Sequence, residues 1–285
     1  MANTHSQFLK FEKGISVPKA KVDKMRSSRL ALEKRIVDFF KAKSNSIVPK
    51  FYIQGSYKMR TMVIGKDGMY DVDLGIYFLT KPDVEPKTLQ KWVLEAINGH
   101  TSGGAQHKEK CIRVIYKSDF DIDLPVYYKT TQDKHPFLAT KTGWVKSDPK
   151  ELCDWFDARD NNNGQLLRLV KYFKTWAHCR SRKMPSGIAF TKWVAVHFKP
   201  NDRDDIAFYE TAKAIKNYFI LDSSCKNPAT PGDDFLAKLD ANQFENFKDS
   251  LKSLIESAKS ALEQENTLKA CHIWKQQLGE RFPVE

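Results

Sequence analysis

The sequence has few cysteines, and their spacing forms no recognised ligand pattern. Its 285 residues include five cysteines, scattered along the chain, and none belongs to a C-x-x-C pair. An odd number at scattered positions is not the pattern of a disulfide framework or of a structural zinc site built on thiolates. We therefore expect reduced cysteines and an intracellular protein.

Long apolar stretches are also missing. No run approaches the ~20 residues that are needed to span a bilayer. The opening segment, MANTHSQFLKFEKG, contains no apolar core of signal-peptide length. Internal repeats and long low-complexity segments are absent as well. We expect a soluble, cytoplasmic protein that does not associate with a membrane.

The composition provides for a folded, basic protein. Hydrophobic residues make up 41% of the chain and aromatic residues 12%, enough for one large domain or two closely packed ones. The formal net charge is +12, from 47 basic and 35 acidic residues. Such a balance favours a polyanionic partner, a nucleotide, a nucleic acid or an anionic surface, although a solvated basic surface is the alternative.

The periodicity changes about halfway along the chain. Residues 1 to about 130 predict the order helix, strand, strand, helix, strand, strand, with the first helix at Val22–Ala42 and a hairpin turn at Ser118–Asp119 between the last two strands. The following segment, Lys134–Pro149, is rich in Lys, Thr, Pro and Gly and predicts a linker or crossover. Apolar residues at helical spacing then predict several helices, the last long one at Phe244–Gln264. The fold class is α/β (α+β), with a mixed sheet followed by a helical part.

Two acidic residues stand in the apolar strand YDVDLGIYF. Asp71 and Asp73 are two positions apart, so on a strand they project from the same face. Adjacent like charges repel and are costly to bury without a counter-charge. A divalent cation would supply that charge, and Mg²⁺ prefers carboxylate oxygens. An edge strand with both acids in water is the alternative.

A second strand, FDIDLPVYY, repeats the pattern with Asp121 and Asp123. If it lies beside the first strand, a third carboxylate joins Asp71 and Asp73, and three converging acids can hold two metal ions. The spacing alone does not say which of the two aspartates supplies the third carboxylate, and Asp121 either supports the metals or faces solvent. The Gly55-Ser56 turn before the first strand offers a flexible backbone and hydrogen-bond donors for phosphate oxygens.

These elements together resemble a known signature. Gly55-Ser56, Asp71-Val72-Asp73 and Asp123 are similar to the motif of the DNA polymerase β-like nucleotidyltransferase superfamily. Within it, QGSYKMRTMV and YDVDLGIYF resemble the bacterial cGAS- and DncV-like enzymes, the CD-NTases of anti-phage CBASS systems. The resemblance extends over nearly the whole chain through the segments GQLLRLVKYFKTWA, MPSGIAFTKW, NPATPGDDFLAKL and IWKQQLGERFP.

The resemblance implies a fold and a reaction. The implied fold has a nucleotidyltransferase core with an N-terminal spine helix at residues 1–135. A helical, nucleotide-binding lobe like the C-terminal part of oligoadenylate synthases would follow at 136–285, with the active site in the cleft between the two. The implied reaction joins nucleoside triphosphates into a cyclic di- or trinucleotide and releases pyrophosphate, with two Mg²⁺ or Mn²⁺ ions.

The resemblance also assigns roles to residues. Asp71, Asp73 and Asp123 would be the catalytic metal ligands. Nucleotide-binding positions would be Gln54, Gly55, Ser56, Lys171 and Ser186. The alternative for Lys171 is a position on a solvated helix face. The alternative for Ser186 is a helix N-cap, a role that is compatible with phosphate binding.

The implied partners follow from the same resemblance. The substrates would be ATP and/or GTP, with UTP also possible, and a CBASS effector would read the product. We expect a monomer. We also expect no obligatory DNA activator, because no Cys/His cluster matches the zinc-binding loop of the animal branch. Two alternatives stay open: an enzyme that makes linear products or extends RNA ends, and a catalytically inactive nucleotide-binding relative.

Overall fold

The computed structural model describes residues 2–43, 48–117, 119–160, 163–230 and 232–285. Its helices are α1 (His5–Ile15), α2 (Lys19–Lys43), α3 (Gly55–Lys58), α4 (Pro86–Ala96), α5 (Pro149–Asp157), α6 (Gln165–His178), α7 (Gly187–His197), α8 (Asp204–Tyr218), α9 (Ala241–Glu263) and α10 (Thr267–Leu278). Within these ranges, no helix combines the length and the apolar character that crossing a bilayer requires.

The strands form one mixed sheet. They are β1 (Lys50–Gln54), β2 (Asp71–Phe78), β3 (Ala105–His107), β4 (Ile112–Tyr116), β5 (Phe120–Leu124), β6 (Val126–Tyr128), β7 (Phe137–Ala139) and β8 (Trp144–Lys146). The order across the sheet is β3-β4-β5-β2-β6-β7-β8, and β1 pairs with β2. The mixed α/β fold class is thus confirmed.

Strand β2 organises the sheet. It pairs antiparallel with β1 along one edge and parallel with β5 and then β6 along the other. Pro125 separates β5 from β6, and its carbonyl accepts a hydrogen bond from the Ile76 amide. Val72, Leu74 and Ile76 are fully buried on one face, as the two-residue period of a strand requires. The opposite face therefore carries Asp71 and Asp73.

Most predicted helices are confirmed, and several begin at recognisable signals. Helix α4 follows Glu85 and starts with Pro86, a residue whose fixed φ suits the first helical position. Helix α9 begins with a capping box in which Asp240 and Gln243 satisfy each other's backbone N–H groups. Helix α2 extends the predicted Val22–Ala42 segment by a few residues at its start.

The predicted linker at Lys134–Pro149 is wrong. This segment contains β7 and β8, which form an antiparallel hairpin that continues the sheet past β6. Tyr128 of β6 stacks on Phe137 of β7 and packs edge-on against Trp144 of β8. These contacts supply side-chain packing that the polar composition of the segment conceals. The predicted turn at Ser118–Asp119 includes Ser118, which lies outside the described residues, but β4 and β5 on either side do pair antiparallel.

The chain packs into two compact units. One comprises residues 17–60 and 67–154 and contains the sheet; the other comprises 1–16, 61–66 and 155–285 and is mostly helical. These units differ from the predicted ranges 1–135 and 136–285 at both ends, because α1 packs with the helical unit and β7–β8 with the sheet.

The helical unit has an aromatic core. Phe8 of α1 packs edge-on against Tyr172 of α6 and against Trp274 and Phe282 near the C-terminus. Each of these residues is almost completely buried. Aromatic side chains at helical spacing in this unit therefore serve mainly as core.

Candidate active site

The pairing of β2 with β5 brings four carboxylates onto one face of the sheet. The strands are parallel and in register, with Asp71 opposite Asp121 and Asp73 opposite Asp123. Residues directly opposite each other in a sheet project to the same side. The predicted convergence of Asp71, Asp73 and Asp123 is therefore present in this unit, with Asp121 as a fourth member.

Arg113 on β4 holds three of these carboxylates. Its register partner is Asp123, to which its Nε and Nη2 donate at 2.8 and 2.7 Å. The guanidinium also donates to Asp121 at 3.2 Å and to Asp71 at 3.3 Å. The hydrogen bonds to Asp123, aided by the charges of Asp71 and Asp121 and opposed by burial, raise the pKa of Arg113.

Sequence reasoning missed Arg113, although a signal for it exists. Residues opposite each other in a hairpin have a constant sum of residue numbers, and a turn centred near 118 pairs 113 with 123. A cation opposite a carboxylate then marks a neutralised cluster. Recognising it requires the register of the hairpin as well as its two strands.

The charges of the cluster affect Asp71. Removal of water from around its carboxyl group raises the pKa of Asp71. The positive charge of Arg113 opposes this effect, whereas the negative charges of Asp123 and Asp121 add to it. A cation bound here would favour the ionised form, so proton release from Asp71 and cation binding are linked.

Asp121, whose role the sequence left open, is an inner member of the cluster. Its side chain is 15% exposed, and its Oδ2 accepts from Arg113. Its Oδ1 is buried and has no hydrogen-bond partner among the described residues. A buried carboxylate oxygen in that condition favours a further cation, which argues against the solvent-facing alternative.

Gly55 fits against Asp73 and has no room for a side chain. It begins the short helix α3 directly after β1 and has a φ of +65°. A Cβ atom placed on it would lie 2.0 Å from Oδ2 of Asp73. Both the left-handed backbone and the close carboxylate thus require glycine. Ser56, the next residue, is partly exposed at the start of the same turn.

Gln54 directly precedes this turn and is 6% exposed. Its side-chain amide donates to the Tyr127 hydroxyl at 3.1 Å and accepts from the Tyr77 hydroxyl at 3.4 Å. Gln54 is the register partner of Asp73. The side chain of Gln54 thus links β1 to Tyr77 of β2 and Tyr127 of β6, and the predicted contact with nucleotide stays a prediction.

Lys171 lies on α6 in the helical unit, where it forms an ion pair. Its Nζ donates to Oε1 of Glu12 at 2.6 Å and to the Ser16 hydroxyl at 3.0 Å. The side chain is 14% exposed, so the solvated-face alternative does not describe it. Burial raises the pKa of Glu12, but the hydrogen bonds from Lys171 and Ser16 outweigh it and lower the pKa overall.

Ser186 is the N-cap residue of α7, and its carbonyl accepts from the amides of Ala189 and Phe190. Its side chain makes no capping hydrogen bond and is exposed. The hydroxyl therefore stands beside the amide end of a helix, where anions bind favourably. Beneath it, the side chain of Lys174 passes Gly187 and donates to Thr61.

The carboxylate face suits divalent cations. Asp71, Asp73 and Asp123 offer only oxygen atoms, the ligands that Mg²⁺ and Mn²⁺ prefer. The guanidinium of Arg113 among the carboxylates and the orphaned oxygen of Asp121 are independent signs that this face attracts positive charge. The residues present thus fit the implied metal ions.

The comparisons with known proteins identify the class of this site. Residues 49–127 match the family model described as cyclic GMP-AMP synthase DncV-like, nucleotidyltransferase domain. This range includes β1, α3, β2 and the carboxylates of β5. Residues 49–127 are therefore similar to the nucleotidyltransferase domain of the DncV-like family, and the predicted resemblance is confirmed.

Two curated relatives have cyclic nucleotides in their names. Over 224 residues the chain is 31% identical to "Cyclic GMP-AMP synthase" of Escherichia albertii, an alignment that covers 72% of this chain and 50% of the relative. Over 150 residues it is 25% identical to "Cyclic AMP-AMP-AMP synthase" of an Acinetobacter species, covering 49% and 44%. The chain thus spans about half the length of the curated relatives it matches.

Solved structures of the same fold cover almost the whole chain. The crystal structure of Vibrio cholerae DncV, a cyclic AMP-GMP synthase, matches with a TM-score of 0.86 at 16% identity, over 99% of this chain and 98% of that one. The CD-NTase CdnG of Bradyrhizobium diazoefficiens matches with a TM-score of 0.80 at 14% identity, over 98% and 96%. At these identities the likeness concerns the fold.

Proposed function

We propose that this protein condenses nucleoside triphosphates into a cyclic di- or trinucleotide and releases pyrophosphate. The observation that carries the proposal is the in-register pairing of β2 and β5, with Asp71, Asp73 and Asp123 on one face and Gly55 against Asp73. The names of the curated relatives, one a dinucleotide and one a trinucleotide synthase, support cyclic products and leave both ring sizes open.

The chemistry assigned to the carboxylates is two-metal catalysis. Two Mg²⁺ or Mn²⁺ ions, when bound, would activate the attacking hydroxyl and neutralise the triphosphate and its leaving group. Asp71 and Asp73 would hold the ions, and Asp123 would join them while also accepting the proton of the attacking hydroxyl. Arg113 would keep the unloaded carboxylates together by balancing their charge.

The triphosphate would be held by groups outside the carboxylates. The backbone amides at Gly55 and Ser56 and the hydroxyl of Ser56 suit phosphate oxygens. In the helical unit, Lys171 and Ser186 supply a cation and a helix N-terminus. For Lys171 to bind phosphate, its Nζ must exchange Glu12 for the ligand or be shared between them.

The substrates we propose are ATP and/or GTP, with UTP possible. Structures of DncV are described with GTP and with the linear intermediate pppA(3',5')pG, which supports a linear step before ring closure. We also propose that the product signals to a CBASS effector in anti-phage defence, and that the enzyme is a cytoplasmic monomer. These last points rest on the family resemblance.

One incubation tests the proposal. Purified protein is incubated with labelled NTPs and Mg²⁺ or Mn²⁺, and the products are treated with phosphatase and analysed by mass spectrometry. A phosphatase-resistant product with the mass of a cyclic di- or trinucleotide is expected. Exclusively linear, phosphatase-sensitive products would favour the polymerase-like alternative, and a folded protein that binds NTP but releases no pyrophosphate would favour the inactive one.

A variant pair tests the site itself. Asp71→Asn with Asp73→Asn should abolish the product, because two of the three proposed ligands lose their charge. Asp83→Asn changes an exposed aspartate of the same unit and should leave activity unchanged. Product formed by the double variant at the wild-type rate would refute the two-metal assignment.

A further inference from the structure

A second group of ligand-type side chains lies in the sheet unit. His135 comes shortly before β7, Asp148 directly precedes α5, and Glu151 is in the first turn of that helix. One nitrogen or oxygen atom from each of the three lies within 4.8 Å of the others. None of these residues belongs to the carboxylate face of β2 and β5.

Helix capping explains only part of this arrangement. Oδ1 of Asp148 accepts from the Glu151 amide at 3.0 Å, and the Asp148 carbonyl accepts from the Leu152 amide. Asp148 is therefore the N-cap of α5. The cap uses Oδ1, whereas the carboxylate oxygens near Nδ1 of His135 are Oδ2 of Asp148 and Oε2 of Glu151.

The imidazole nitrogen between these oxygens lacks a hydrogen bond. His135 is 8% exposed, and its Nδ1 is a buried atom without a hydrogen-bond partner among the described residues. Nδ1 lies 3.4 Å from Oδ2 of Asp148 and 3.2 Å from Oε2 of Glu151, but neither contact has hydrogen-bond geometry. A buried polar atom in this position calls for another partner.

The two distances match those between ligands of a common metal ion. In a tetrahedral site with bonds of about 2.0–2.1 Å to nitrogen and oxygen, neighbouring ligand atoms are separated by about 3.3 Å. The observed 3.4 and 3.2 Å lie on either side of that value. Two carboxylates also carry the charge that neutralises a divalent ion.

We propose that His135, Asp148 and Glu151 bind a divalent transition-metal ion, Zn²⁺ foremost, through Nδ1, Oδ2 and Oε2. The imidazole ligand separates this site from the all-oxygen face that suits Mg²⁺. Three protein ligands leave a fourth position for water. The bound ion would fasten the segment before β7 to the first turn of α5.

Zinc binding is measured on full-length, untagged protein after treatment with a chelator. The experiment uses the Asp71→Asn, Asp73→Asn variant as background, because it weakens the proposed Mg²⁺ site. Zn²⁺ binding to His135, Asp148 and Glu151 can then be judged separately from cation binding to the carboxylate face. Zn²⁺ is titrated against a chromophoric competitor, and Co²⁺ is used as a visible-absorbing probe of a tetrahedral site. We expect one Zn²⁺ per chain with a Kd below about 1 μM. At that affinity, weaker binding in the variants can be measured.

Three further variants are made in that background. His135→Gln should weaken Zn²⁺ binding at least 100-fold and remove the Co²⁺ absorption, because it deletes the nitrogen ligand. Glu151→Gln, whose side chain is half exposed, should fold normally and weaken binding at least tenfold. His272→Gln replaces an exposed histidine on α10 and should bind as the background protein does.

Two results would overturn the proposal. One is a background protein that binds no Zn²⁺ at 100 μM. The other is an unchanged Kd in both His135→Gln and Glu151→Gln. In either case the contacts of His135 with Asp148 and Glu151 would be described as packing around the start of α5 that involves no metal ion.

Discussion

Replacing Gly55 by alanine is the sharpest test of how the turn after β1 serves the carboxylate face. The added Cβ would lie 2.0 Å from Oδ2 of Asp73 and 3.0 Å from its Cγ. Ordinary van der Waals contact begins near 3.4 Å. Either the Asp73 carboxylate or the turn must therefore shift by about 1.4 Å.

The expected loss follows from that displacement. A misplacement of about 1 Å in a reacting constellation can cost about 100-fold in rate, so kcat/KM for pyrophosphate release should fall at least 100-fold in Gly55→Ala. The positive φ of Gly55 adds a backbone cost of about 1–2 kcal/mol for any residue with a Cβ. Stability and activity must therefore be measured separately.

Gly68→Ala is the matched control. Gly68 has a φ of +80° and no atom within 4 Å of an added Cβ, so this variant has the backbone cost without the clash. Both variants should lose a few degrees in Tm, whereas Gly68→Ala should keep near-wild-type turnover. Equal activity of the two variants would refute the claim that the close approach of Gly55 positions Asp73.

Two other predictions concern charge. Arg113→Met should lower the free energy of unfolding by about 1–3 kcal/mol in metal-free buffer, because the carboxylates lose their charged hydrogen-bond donor. Added Mg²⁺ should then raise the Tm of the variant more than the Tm of wild type. An equal rise in both proteins in thermal denaturation would contradict this. The pKa of Glu12 is lowered in the folded protein, so the ion pair with Lys171 stabilises the fold at pH values above 4.5, the ordinary pKa of Glu12. This contribution is lost as the pH falls through the folded-state pKa. Wild type and Glu12→Gln should therefore converge in stability in acid-titrated denaturant unfolding, and a constant difference between them down to pH 2 would disprove the pairing.

The carboxylate face was predictable because its signal is local. Two D-x-D strands with apolar neighbours specify both the strand and the face. The aspartates of β2 and β5 do share one face, although Pro125 divides the second predicted strand into β5 and β6. Arg113 was not predicted because its role depends on the register between β4 and β5, which no single strand encodes. The role of Gln54 was not predictable for the same reason. A polar residue before a Gly-Ser turn gives no sign that its side chain is hydrogen-bonded to two tyrosine hydroxyls.

Elements with weak local signals were also missed. Strands β7 and β8 have three residues each, too few for a reliable alternation, and their packing depends on aromatic contacts with β6. Helix α1 follows Thr4, whose hydroxyl makes no capping hydrogen bond and instead donates to Asp205 of α8, a distant partner that the local sequence does not reveal. Both acquire their stability from tertiary packing, which overrides weak local preference.

The position of α1 has a consequence for biosynthesis. Tyr172, whose hydroxyl donates to the Phe8 carbonyl, follows Phe8 by 164 positions. At translation rates of roughly 5–20 residues per second, Phe8 is synthesised about 8 to 30 s before Tyr172, and its partners Trp274 and Phe282 follow later still. During this interval the apolar residues of the α1 segment have no partners to bury them, so chaperone binding and aggregation compete for the exposed segment.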